Sequence, residues 1–126
     1  MQTTKTEKEL LIDALQLRKA ALLIRAINHP LRQQMLQLLH KHKKMPVTEL
    51  YRSLRIEQSV ASQHLAILRH ASFVNTKREG KQVFYSVNYD RLNFVSQQSK
   101  ALIDGARASS LQYRALILPK RIFFIV

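Results

Sequence analysis

Two short amphipathic segments, Thr48 to Leu54 and Gln58 to Ala71, are separated by only the three residues Arg55-Ile56-Glu57. Two helices joined that tightly, the second amphipathic, form a helix-turn-helix. Thr48 is the expected N-cap of the first, with Leu50 and Leu54 turned inward. The turn carries no glycine. On the second helix, at roughly 100° per residue, Ala61, Leu65 and Leu68 fall on one side and pack inward. Ser59, Gln63 and Ala66 lie opposite, flanked by Ser62, and His64 sits on the boundary. The outward face is therefore small, polar and uncharged.

The flanking chain completes the pattern. Phe73 to Lys77 and Gln82 to Val87 alternate as two strands around Arg78-Glu79-Gly80-Lys81, with Val83, Tyr85 and Val87 on one face and Gly80 supplying the turn. A hairpin directly after the second helix is a wing. Upstream, residues 7–27 read as a first helix, and Asn28-His29-Pro30 ends it. Proline suits the first turn of the next helix, which carries Leu31, Met35, Leu38 and Leu39 up to about His42. His29, in that turn, is expected to cap or pack. From Tyr89 to about Leu118 the pattern is helical again, with Leu92, Val95, Leu102 and Ala106 on one stripe. Gly105 weakens that helix by roughly 1 kcal/mol relative to alanine. The apolar tail, residues 119–126, has no assigned role. The expected fold is mainly α with a small β-hairpin wing, a single winged helix-turn-helix domain over residues 1–126: four helices, two strands and a final helix.

Charge narrows the function. The chain carries 21 Lys and Arg against eight Asp and Glu, a net charge of +13, and is drawn to polyanions. Nine of the basic residues lie between Lys41 and Lys81, against three acidic ones. Among them Lys43, Lys44 and Arg69, with Lys77, Arg78 and Lys81 on the wing, are candidates for phosphate contacts beside the exposed helix face. That face suits base edges: Gln bonds adenine in a bidentate way, Ser bonds several bases, and alanine touches a thymine methyl. The first helix is apolar on more than one side, and a second subunit is the simplest cover for the excess.

Four pieces in order, NHPLRQQMLQLL, VTELYRSL, QSVASQHLAILRHASFV and KREGKQVFYSV, resemble the ArsR/SmtB family of bacterial repressors, covering about half the chain. The resemblance implies a homodimer joined through the first and last helices, where Leu11, Leu15, Leu22, Leu92, Val95 and Leu102 would lie. It implies double-stranded DNA as partner, with two reading helices in successive major grooves and an inverted repeat as target. By position, Gln58, Ser59, Ser62, Gln63 and His64 are the reading residues, and Lys77, Arg78 and Lys81 sit on the wing beside the DNA. The expected function is that of a sequence-specific transcriptional repressor.

Other chemistry finds little material. There is no cysteine, so thiolate metal sites and thiol sensing are excluded. Many relatives of this type sense metals through cysteines in the first helix of the helix-turn-helix, but TELYRSL has none. Others use Asp and His pairs on the last helix, but Tyr89 to Val126 contains no histidine. His40 and His42 are two apart and make a poor helical chelate. No cofactor or metal is expected, and any small-molecule effector is not read by those sites. Scattered carboxylates, no phosphate loop and no nucleophile elbow argue against an enzyme. The polar start MQTTKTEKE and the lack of a long apolar run give the expectation of a cytoplasmic protein that does not enter membranes. Two other readings stay open here: an architectural, non-specific nucleic-acid binder, and a protein-interaction module on this scaffold. Competition with random DNA separates the first from a specific regulator. Substitution of Ser59, Ser62 and Gln63 separates the second.

Overall fold

A computed structural model of the chain describes residues 11–106. The elements follow as α1 (Ala14–Ile27), α2 (Pro30–His42), β1 (Met45–Pro46), α3 (Val47–Leu54), α4 (Gln58–His70), β2 (Val74–Glu79), β3 (Gln82–Val87) and α5 (Tyr89–Gly105). The expected order holds with one addition, the two-residue strand β1. It pairs antiparallel with β3, Met45 opposite Tyr85 and Pro46 opposite Phe84, so the wing is one side of a three-stranded sheet ordered β1-β3-β2. Two residues are too few to show a period of two, and proline reads as a breaker. Proline is tolerated here because β1 is an edge strand.

Several boundaries move for local reasons. Helix α1 starts at Ala14, where the Asp13 carboxylate Oδ1 accepts from the Leu15 and Gln16 amides at 3.0 and 3.1 Å; the expected start at residue 7 lies outside the described residues. An aspartate in extended conformation at the N-cap satisfies two of the donors a helix start leaves open. At α3 the N-cap is Pro46 with no side-chain bond, not Thr48, which lies inside the helix. The wing strands run closer to the tip, with Glu79 opposite Gln82. Only Gly80 and Lys81 remain as the loop, and Gly80 takes φ +65°, the positive φ such tight hairpins require. In the helix-turn-helix, Arg55 occupies the left-handed region that glycine often fills, at φ 56° and ψ 45°. Its amide donates to the Arg52 carbonyl, and the Ile56 amide to that of Tyr51, closing α3. The expected continuation of α5 to Leu118 and the tail lie outside the described residues.

The core sits under α4. Met35 and Leu39 of α2, Leu50 of α3, Leu65 and Leu68 of α4, and Phe73 are fully buried together. Asn88 ties the ends of this layer: its amide Nδ2 donates to the Ser72 carbonyl at 2.9 Å and its Oδ1 accepts from the Arg91 amide. Helix α4 is thus held on its inner face by packing and at its exit by hydrogen bonds.

Leu65→Ala is expected to lower unfolding free energy by about 2–5 kcal/mol, since it empties a fully buried site. Arg55→Gly is expected to raise it by up to about 1 kcal/mol, by relieving the left-handed backbone. Urea denaturation of the two variants checks both signs.

Candidate nucleic-acid interface

The outward face of α4 is built from its periodicity. With Ala61, Leu65 and Leu68 buried, Gln58, Ser59, Ser62 and Gln63 are all exposed on the first half of the helix. The structure brings these four together on one solvent-facing surface. Lys77, Arg78 and Lys81 are exposed on the wing, and Lys43, after α2, and Arg69, in the last turn of α4, are exposed as well.

His64 differs from the expectation. It is half-buried, turned toward α1 and α2, and its Nδ1 lies 3.0 Å from the Arg32 guanidinium. Arginine has no acceptor, so the imidazole accepts and is neutral at Nδ1. The reason is angular: His64 directly precedes Leu65, and its side chain lies beside the buried stripe rather than opposite it. It therefore supports α4 from behind.

Lys44 also differs. Its ammonium donates to Glu79 Oε1 at 2.7 Å and stands 5.0 Å from the centre of the Phe84 ring. The hydrogen bond from Lys44, aided by the charge of Lys77, holds the Glu79 carboxyl below the usual carboxylate range. Lys44 braces the tip end of β2 to the chain after α2 instead of standing free for a phosphate. Pairings across 35 residues of sequence leave no local signal.

The most important residue that sequence reasoning missed is Arg32. It is 7% exposed, and its guanidinium donates to the Ala26 carbonyl at 2.5 Å and the Arg25 carbonyl at 3.2 Å as well as meeting His64. The signal was present: Arg32 stands three, four and seven residues before Met35, Leu36 and Leu39, all buried, which places it on the core stripe of α2. His29 caps the same helix, its Nδ1 accepting from the Leu31 amide at 3.1 Å, and its ring centre lies 4.8 Å from that of His64. Burial, reinforced by the neighbouring cation or cations, lowers the pKa of both histidines below 6.5.

On the far side, α1 and α5 carry exposed apolar residues, Leu15 at 59%, Leu22 at 57% and Leu102 at 69%, and Leu11, in the chain before α1, is 94% exposed. Between α1, α2 and α5 runs an open groove of about 570 Å³, lined by Ile24, Leu36, Leu92 and Val95 with His40 and Tyr89 at its edge. Val95 is only 8% exposed and belongs to the core of the single chain, not to its surface. Leu92 is half-buried against that core. The stripe of α5 starts inward and turns outward because the single chain covers only its first turns. Among the described residues no three His, Asp or Glu converge to hold a metal, and no helix is long and apolar enough to cross a membrane.

Residues 29–76, from the start of α2 into β2, match the profile of the arsR family of bacterial regulatory proteins. The chain is 34% identical over 77 residues to the transcriptional repressor PagR of Bacillus anthracis, covering 61% of this chain and 77% of that one. The chain belongs to the ArsR family. It is also 37% identical over 86 residues to the transcriptional activator HlyU of Vibrio cholerae, with 68% and 72% covered. The crystal structure of PagR superposes with a TM-score of 0.54 at 31% identity, over 71% of this chain and 99% of that one. A homodimeric winged helix-turn-helix fragment from Mycobacterium bovis, solved by NMR, shares the fold at a TM-score of 0.59 and 20% identity, over 87% of this chain and 97% of that one. The ArsR match starts at His29, the residue that caps α2 and lies beside His64.

The two histidines set a pH dependence of stability. Their folded pKa values lie below the unfolded value of 6.5, so on acidification the unfolded chain takes up protons that the fold refuses. Stability from this pair is complete above about pH 6.5 and falls as pH drops below it. Melting temperatures measured across that range are expected to fall toward acid in the native chain, and less steeply in His64→Gln.

Proposed function

We propose that this ArsR-family protein is a homodimeric, sequence-specific repressor that reads an inverted repeat through the major groove, working in the cytoplasm. The observation that carries the reading is the exposed, uncharged set Gln58, Ser59, Ser62 and Gln63 on α4, with the basic wing beside it. An uncharged polar surface has no Coulombic reason to bind DNA. Its use is in hydrogen bonds to base edges once the surrounding cations have brought the helix into the groove. Lys77, Arg78, Lys81, Lys43 and Arg69 are the exposed cations that suit that second task.

A dimer follows from the apolar surplus. Leu15 and Leu22 on α1 and Leu102 on α5 are more than half exposed, on a face removed from the wing. A second copy covers them and accounts for the open groove beside α5. Two α4 helices related by a two-fold axis then meet DNA about one helical turn apart, roughly 34 Å. Relatives bear the names of both repressors and an activator. Repression needs only occupancy of the site, and no surface beyond the reading face and dimer face is invoked for it.

The deciding experiment selects bound sequences from random duplex DNA. An inverted repeat with half-sites about one turn apart is expected; tight, salt-sensitive binding without a motif would make the protein a non-specific binder. Gln63→Ala is expected to relax preference at one or two positions per half-site, costing about 1–3 kcal/mol on the selected sequence. Arg78→Ala is expected to weaken binding evenly across sequences and to shallow the salt dependence by about one phosphate contact per subunit. Anisotropy titrations over a salt series distinguish the two patterns.

A further inference from the structure

Both histidines beside Arg32 are acceptors through Nδ1. His29 accepts from the Leu31 amide and His64 faces the guanidinium, so each ring must be unprotonated at that nitrogen for its bond to exist. A proton on His64 Nδ1 points a donor at a donor, beside an arginine that cannot give up its charge. A proton on His29 Nδ1 removes the cap of α2 and places a second positive ring 4.8 Å away. The same arginine holds the carbonyls of Ala26 and Arg25 at the end of α1. One cluster thus joins the helix that would read DNA to the helix that would form the dimer.

Among the described residues no carboxylate compensates. Facing His64 are His29, from the turn before α2, and Arg32, from α2; Arg25 of α1 stands behind Arg32. On α3, Glu49 and Arg52 are exposed, as are Glu57 before α4 and Lys77 and Arg78 on β2, and none of them hydrogen-bonds to His64. Glu79 of β2 is taken by Lys44. Every group in the cluster is neutral or positive.

We propose that the His29–Arg32–His64 cluster is a proton-operated clamp on α4, which loosens the reading helix from α1 and α2 on mild acidification and releases DNA. Gln63 immediately precedes His64, so any displacement of that ring from Arg32 re-aims the neighbouring base-reading side chain. The sign is opposite to the general effect of acid on a basic DNA-binding protein, where added positive charge strengthens phosphate contacts. Weaker binding in acid is therefore specific to the clamp. The released state is a local loosening, since the core below Leu65 and Leu68 is apolar and does not titrate.

The inference rests on the DNA-reading role proposed for α4, and the test separates the two. His64→Gln keeps an acceptor for Arg32 and cannot be protonated; His29→Asn keeps a good helix cap and cannot either. Affinity for the inverted repeat recovered by selection is measured at about pH 7.5 and about pH 5.5, at constant ionic strength. The native chain is expected to lose about tenfold or more in affinity, the equivalent of a one-unit pKa difference between states, and His64→Gln to lose less than about twofold. His29→Asn is expected to lose an intermediate amount. In parallel, amide exchange of residues 61–70, corrected for intrinsic rates, is followed without DNA. It is expected to rise in acid in the native chain and to stay level in His64→Gln. Unchanged or tighter DNA binding in acid, equal losses in His64→Gln, or exchange that does not respond, each overturns the clamp. If selection recovers no motif, the DNA-reading role fails, and the exchange measurement alone still decides whether the cluster loosens α4.

Discussion

A buried guanidinium at the junction of three helices organises this protein. Arg32 lies on the core stripe of α2, where a leucine would be the ordinary choice, and spends its donors on the end of α1 and on a ring of α4. A buried arginine is tolerable only when hydrogen-bonded, and the open carbonyls at a helix C-terminus are suitable acceptors because they lack intrahelical partners. The geometry works in both directions. The arginine satisfies α1, and α1, by ending where it does, satisfies the arginine. Removing any one partner would leave a guanidinium donor unsatisfied in a partly dry site, so the three hydrogen bonds together tie α1 and α4 to α2.

That tie matters because the two helices carry different work. The exposed half of α4 is small and polar, suited to close approach by another polar surface. The exposed flank of α1 is leucine-rich, suited to being covered. In a two-fold dimer the distance between two reading helices is set by how each is mounted on its dimer helix. A mount made of hydrogen bonds is directional, whereas apolar packing alone permits sliding. The wing is treated in the same way: Lys44 ties Glu79, at the tip end of β2, and Phe84 to the chain beyond α2, and Lys77, Arg78 and Lys81 are left exposed.

The cluster also concentrates ionisable groups in an otherwise apolar frame. His29 and His64 are held neutral by burial and by neighbouring positive charge, and each is committed as an acceptor. Such a site is rigid while its rings are neutral and strained once they are not. The ArsR fold in this chain thus places two titratable rings where α1, α2 and α4 meet, in a chain without cysteine and, among the described residues, without a metal ligand set.

Much of this was legible in the residues. The helical period placed Ala61, Leu65 and Leu68 inside and Ser59, Ser62 and Gln63 outside, because a single amphipathic helix over a core has only one face to bury. The wing strands, the proline start of α2 and the leucine surplus of α1 were readable for the same local reason. The four ordered segments that resemble ArsR repressors were enough to name the family. Partnerships across distant sequence were not readable. Strand β1 exists only because β3 offers it an edge; Lys44 meets Glu79 across the sheet; Val95 is buried because α5 folds back onto the core; and His64, beside the buried stripe, meets Arg32 of another helix. Periodicity reports which way a side chain leaves its own helix, so the sequence by itself determined the elements and their faces. Which groups meet between elements depends on how those faces are mounted on one another, and only the tertiary structure decided that.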